Sequence, residues 1–165
     1  MQPRPNTMPL TWSDLTRQPD DDAIQHLLAA WGWLLDEPFA PLLFSSLGDM
    51  FFEKQSGGVY WLNTGTGEVT QVADTVEAFQ TLLGGDAIDE WFLPALIADL
   101  QAADLKPGAG QCYSYKVLPV FAEGKYEVGN FKLLSLAEHF EATAHVLKQI
   151  QALPDGSTVR LHNML

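Results

Sequence analysis

Apolar residues along this chain change their period several times, and each change predicts an element. Ile24, Leu27, Leu28, Trp31, Leu34 and Leu35 fall at offsets 0, 3, 4, 7, 10 and 11. That spacing lays one apolar stripe along a helix of about three to four turns, with Asp22 as its N-cap. From Pro41 to Ala73 the runs become short, aromatic or β-branched: "LLFSS", "DMFFEK", "VYWLN" and "EVTQVA". Turn residues separate them, "SGG" at 56–58 and "TGTG" at 64–67. The expectation is an antiparallel meander of three or four strands joined by hairpins.

Helical spacing then returns. Val76, Phe79, Leu82 and Leu83 predict a helix capped by Asp74 and broken at "GGD". Leu93, Leu96, Ile97 and Leu100 predict another from about Asp89 to Ala103, with Pro94 as a site for a kink. "YKVLPVF" reads as a strand that Pro119 confines to an edge or an early end. "NFKLL" reads as a second strand. Ser135 and Glu138 then form the "SLAE" capping box of a helix that runs to about Leu153 and buries Leu136, Phe140, Leu147 and Ile150. "PDGSTVRLHN" predicts a turn and a closing strand.

Upstream of all this, residues 1–22 form a lead-in. Three prolines fall within the first ten positions, and "TWSDLTRQPDDD" holds a short helical turn capped by Thr11 and ended by Pro19. Residues 23–165 make up the domain. The order of elements is that of an α+β fold, a mostly antiparallel sheet with a strand meander packed by several helices. A chain of 165 residues favours one domain and buries roughly 70% of its unfolded surface, enough for a core without metal or disulfide staples.

Charge narrows the function classes. Nine Lys and Arg stand against 21 Asp and Glu, a formal charge of −12. Clustered cations for phosphate are missing, which argues against nucleic acid and against an anionic membrane surface. A basic partner is compatible, drawn in by long-range attraction. The single cysteine cannot close an internal disulfide. No apolar run is long enough for a signal peptide or a membrane span, so the expected location is cytoplasmic.

The candidate chemistry is sparse. Gly108 and Gly110 in "PGAGQCYSYK" could form an anion-binding nest, but the segment leads into a strand where phosphate loops lead into a helix. Gly65 and Gly67 lack the GxGxxG or GK[ST] context of a nucleotide loop and read as a hairpin turn. Cys112 has no histidine in a catalytic context, which favours a buried, inert thiol. His139 and His145 are six apart and cannot share a metal from one helix turn, and His26 has no second ligand at i+4. Asp86, Asp89 and Glu90 suit the positive end of a helix dipole, and a metal site would need more oxygen ligands than they supply.

Two stretches carry a family resemblance. "LGDMFFEKQSGGVYWLNTGTGEVTQVADTVEAFQTLL" resembles the meander and following helix of SUKH-like immunity proteins. "LKPGAGQCYSYKVLPVFAEGKYEVGNFKLLSLAEHF", with "LPDGSTV" behind it, resembles the C-terminal domain of immunity proteins paired with type VI secretion DNase effectors. Together they span roughly residues 23–160. Longer members of that group carry an additional N-terminal domain related to the GAD module, whereas about 22 residues precede the first strong helix here.

The resemblance implies a cytoplasmic immunity protein, not an enzyme, that needs no cofactor or metal. It would bind and neutralise a secreted bacterial toxin, with a basic nuclease as one candidate. Asp86, Asp89, Glu90, Glu123 and Glu127 are the candidate partner-contact charges. The alternatives are a regulatory or ligand-binding domain of the same type without a toxin, and a small enzyme or ligand site using Cys112, Tyr113 and Tyr115 in a cleft.

Overall fold

The computed structural model describes residues 10–153. The fold is α+β, as the pattern predicts. Five strands form one antiparallel sheet in chain order: β1 (Thr16–Arg17), β2 (Phe39–Ser45), β3 (Met50–Lys54), β4 (Val59–Leu62) and β5 (Val69–Ala73). Two more, β6 (Gln111–Tyr115) and β7 (Phe131–Ser135), pair with each other, Tyr113 opposite Leu133. The closing strand expected at "PDGSTVRLHN" lies outside the described residues.

Covered faces explain why the meander is so aromatic. Successive side chains of a strand point to opposite faces, and those of cross-strand partners to the same one. Phe51 pairs with Trp61 and stacks on it, with ring centroids 5.9 Å apart. Its face also meets Phe79 of α3 (Val76–Leu83) and both Trp91 and Phe92 of α4 (Ala87–Phe92). On the opposite face Phe44, paired with Met50, lies 6.0 Å from Phe140 of α6 (Leu136–Gln151), which packs on α2 (Asp21–Trp31). With helices on both faces, the central strand has little room for polar alternation.

Several boundaries differ from the expected ones. Part of the expected lead-in is built into the sheet: α1 (Trp12–Leu15) follows Thr11, Leu15 is buried, and Thr16–Arg17 pair with β2. Asp20, not Asp22, caps α2, its carboxylate accepting the Ala23 N–H at 2.9 Å. That helix stops at Trp31, and Leu34 and Leu35 turn back onto the Trp31 carbonyl. Thr75, not Asp74, caps α3.

The kink expected at Pro94 is a full break. Leu93 adopts the left-handed conformation (φ 48°), and Pro94 opens a new helix, α5 (Pro94–Ala102). Proline has no N–H to continue the preceding helix, whereas its fixed φ suits a first helical position.

Strand β6 ends at Tyr115, well before Pro119. The Asn130 side chain takes over from the ladder there, accepting the Val117 N–H and donating to the Val117 and Lys125 carbonyls. The chain from Lys116 to Asn130 is therefore a connection outside the ladder, ending in a short 3-10 turn (Val128–Asn130) and pinned at its base by that amide. It crosses the β4–β5 turn, where the Val120 N–H reaches the Gly65 carbonyl at 3.2 Å.

In "PGAGQCYSYK" a turn at Pro107–Gly110 leads straight into β6. Gly110 takes a positive φ of 77°, and the Gln111 N–H closes on the Gly108 carbonyl. Arg17 clamps it from β1, donating to the Gly108 carbonyl at 2.6 Å and the Gln111 carbonyl at 2.8 Å. The two carbonyls and the guanidinium leave this turn occupied by its own chain.

Candidate functional site: a buried polar chain under an aromatic cavity

The turn from β2 to β3 sets the site. Ser45 Oγ accepts the N–H groups of Leu47 and Asp49, and Gly48 takes φ +80°. This closes the loop so that Asp49, only 2% exposed, points inward. Its Oδ1 accepts the Thr64 N–H and the Thr64 hydroxyl, both at 2.9 Å. Its Oδ2 accepts the Trp61 indole N–H at 3.2 Å. Thr64 sits in the β4–β5 turn, so the carboxylate ties two hairpin ends together.

Beyond Thr64 the chain of hydrogen bonds continues. Thr64 Oγ1 lies 2.8 Å from Nε2 of His139, and His139 Nδ1 lies 2.8 Å from Ser114 Oγ. His139 is in the first turns of α6, whose N-terminus Ser135 caps by accepting the Glu138 N–H. Ser114 is on β6. One line of polar groups thus joins the sheet, the long helix and the second strand pair.

Proton positions follow from donor counting. Thr64 has one hydroxyl proton, and the carboxylate takes it. Thr64 must then accept from His139 Nε2–H, which leaves Nδ1 to accept the Ser114 O–H. Burial pushes Asp49 up to about 6 against the pull of its three donors. Burial also lowers His139 to about 4, opposed by the Gly48 carbonyl. At neutral pH the carboxylate is charged and the imidazole neutral.

A serine bonded to a histidine suggests a nucleophile and its base. Here Ser114 and His139 are both fully buried, and the acid lies on the threonine side of the ring. The pair binds elements together, and no substrate can reach it without opening the core.

Above Asp49 lies a cavity of about 300 Å³. Trp61, Trp91, Tyr115 and Tyr126 line it, Asp49 closes its buried end, and Glu90 stands at the exposed side. Tyr115 and Tyr126 meet nearly at right angles, 6.2 Å between ring centroids. Burial raises both phenols, and the Asp49 charge is the next cause for each.

The structure brings some expected residues together and separates others. Asp86 precedes α4, Asp89 and Glu90 are in its first turn, and Glu123 and Glu127 are in the loop between β6 and β7; all five are exposed. Glu90 and Tyr126 line one cavity, so α4 and that loop meet there, although the other four carboxylates do not line it.

Cys112, Tyr113 and Tyr115 do not share a cleft. The thiol is fully buried, and burial, with the Asp49 charge, pushes it well up. Tyr113 borders a different cavity beside Asp14 and Arg17, and its hydroxyl donates to the Leu105 carbonyl at 2.6 Å. Only Tyr115 reaches the cavity over Asp49.

Sequence reasoning missed Asp49, Thr64, Ser114 and His139. One signal was present for His139: it stands beside Leu136 and Phe140 on the apolar stripe of its helix.

Charge segregation was also legible but unused. Between Gln55 and Leu105 there are eight carboxylates and no Lys, Arg or His. All eight are exposed, spread from the β4–β5 connection through the helices α3 to α5 and the turns that flank them. Among the described residues the ion pairs are those of His26 with Asp22 and Glu141; no Lys or Arg comes within 4.0 Å of a carboxylate. No three His, Cys, Asp or Glu side chains among the described residues gather so as to hold a metal ion. No helix there is long and apolar enough to cross a membrane.

In comparisons with known proteins, no family model and no curated protein matches this chain.

Proposed function

We propose that the protein is a binding protein that neutralises a basic partner, the role that its resemblance to SUKH-like immunity proteins implies. The partner is a secreted toxin, and a nuclease fits best because it must present positive charge to its own substrate. The observation that carries this reading is the tract from Gln55 to Leu105, whose eight exposed carboxylates have no cation among them. Unpaired like charges on one part of a surface raise the rate of encounter with a basic protein.

Affinity needs apolar anchors as well. Trp12 (44% exposed) and Tyr126 (43%) stand beside the acidic tract, Trp12 against Phe92 and Tyr126 across the cavity from Glu90. Leu82 is exposed on α3 within the tract.

The test is co-expression with the toxic product of a neighbouring gene, scored by growth rescue and co-purification. Rescue with a stable complex is the expected result. Replacing Asp86, Asp89 and Glu90 by lysine should slow association at low salt at least tenfold and flatten its salt dependence. A toxic neighbour that is neither bound nor neutralised would overturn the reading. The second reading, a ligand-binding domain, is favoured by the cavity over Asp49.

A further inference from the structure

Among the described residues Asp49 has no cationic partner. Its charge is met only by neutral donors, two from Thr64 and one from Trp61. Oδ1 is shared by two of them, whereas Oδ2 has the indole as its sole partner among the described residues and keeps acceptor capacity. The same carboxylate closes the buried end of a cavity lined by Trp61, Trp91, Tyr115 and Tyr126, with Leu47 and Leu93 adding apolar surface and Asn63 a neutral amide.

Three features specify a ligand. An unpaired buried carboxylate favours a cation. Aromatic walls favour an organic cation, because ring faces attract positive charge and the apolar lining takes up a hydrocarbon stem. A bare metal ion is a poor match, since it needs several oxygen ligands and only one buried carboxylate is present. Oδ2 can also accept a hydrogen bond, which a primary ammonium donates and a quaternary one does not. Glu90 adds a second negative charge at the exposed side.

We propose that this cavity is a binding site for a primary alkylammonium group, held by Asp49 at its buried end and by the aromatic side chains of Trp61, Trp91, Tyr115 and Tyr126 around its stem. The group belongs either to a small free amine or to a lysine side chain of a protein partner. This inference does not depend on the partner's being a toxin.

The test uses n-butylammonium and its neutral isostere 1-butanol, titrated into the whole protein at pH 7.5 and about 0.05 M salt, where screening is modest. The readout is the NMR signal of the Trp61 indole N–H, which donates to Asp49. The expected result is saturable binding of n-butylammonium, with a Kd in about the millimolar range for so small a ligand, and at least tenfold weaker binding of 1-butanol. Asp49→Asn, if folded, should lose n-butylammonium at least tenfold. Tyr126→Leu, at an exposed wall, keeps the test decisive should Asp49→Asn fail to fold: it should weaken n-butylammonium about threefold or more. Equal binding of amine and alcohol, no saturable shift, or indifference to both substitutions would overturn the proposal. Lysine blocked at both ends separates the sources. Binding as tight as n-butylammonium supports a protein side chain; loss of binding with the free amine retained supports a small molecule.

Discussion

The imidazole of His139 fills the space that a Cβ on Gly48 would need. A methyl built there would come closer than 3.0 Å to the ring, and Gly48 has a positive φ of 80°. Two requirements, backbone conformation and vacant space, thus fall on one glycine. Gly48→Ala should cost about 3 kcal/mol or more, as left-handed strain adds to displacement of a buried, bonded ring. His139→Ala should cost about 2–4 kcal/mol through its cavity and the orphaned Thr64 and Ser114 hydroxyls. The double variant should lose at least 1 kcal/mol less than the sum of the two, because the clash is gone. Urea unfolding of all four proteins checks this, and strict additivity would refute the coupling.

The Asp49–His139 pair makes a second prediction, about pH. Asp49 has a folded pKa of about 6 against an ordinary 3.8. Its contribution to stability is complete below about pH 4 and is lost as pH rises through 6. His139 has a folded pKa of about 4 against 6.5. Its contribution is complete above 6.5 and is lost as pH falls through 4.

Each shift corresponds to about 3 kcal/mol, with opposite sign over nearly the same window. The two cancel, because folded and unfolded states each carry one proton on the pair near pH 5. Asp49→Asn should unmask the histidine, losing about 2–3 kcal/mol relative to wild type between pH 7 and 4.5. His139→Gln should do the reverse. Urea titrations at both pH values read this directly, and parallel curves for all three proteins would show that the pair does not titrate as described.

Much of the frame was legible because it is local. Phe51, Phe52, Tyr60 and Trp61 announce strands by type, and the glycines between them by turn chemistry. Ser135 caps its helix as its spacing with Glu138 indicates. The polar chain was not legible, because its members lie on four separate parts of the chain and meet only when the sheet, α6 and β6 pack. Nothing near Asp49 in sequence announces His139. The early end of β6 was hidden for a related reason: the groups that replace its ladder belong to Asn130, fifteen residues past Tyr115.

The C-terminus of α5 offers a stabilising change. Asp104 is left-handed at φ 64°, its N–H bonds the Gln101 carbonyl, and the Leu105 N–H bonds the Leu100 carbonyl. That is the double closure of a Schellman motif, with aspartate where glycine is usual. Asp104 is exposed and accepts no side-chain bond among the described residues. Asp104→Gly should add about 0.5–1 kcal/mol and raise Tm by roughly 2–4 °C. A lower Tm would mean that the side chain makes a contribution larger than the strain it imposes.

Cys112 tests the enzyme alternative. It is buried on β6 with its thiol held protonated by burial and by Asp49. Labelling by a thiol reagent at pH 8 should be slower than for the unfolded chain by a factor of about 10³ or more, and should speed up with urea as the protein opens. Rapid labelling of the folded protein at neutral pH would instead reveal an activated thiolate and revive the cysteine site.

The acidic tract implies a cost in the unbound protein. With 21 carboxylates against nine cations and no Lys or Arg pairing to a carboxylate among the described residues, like charges repel in the folded state. Raising salt from about 0.01 to 0.1 M shortens the screening length from about 30 to 10 Å, so Tm should rise by several degrees. Replacing Asp86, Asp89 and Glu90 by their amides should reduce that rise, since three exposed charges leave one helix start. A partner that supplies cations to the same surface should act as salt does, raising Tm most at low ionic strength. If salt leaves Tm unchanged, the carboxylates are spaced too widely to act together, and attraction of a basic partner by this tract loses its physical basis.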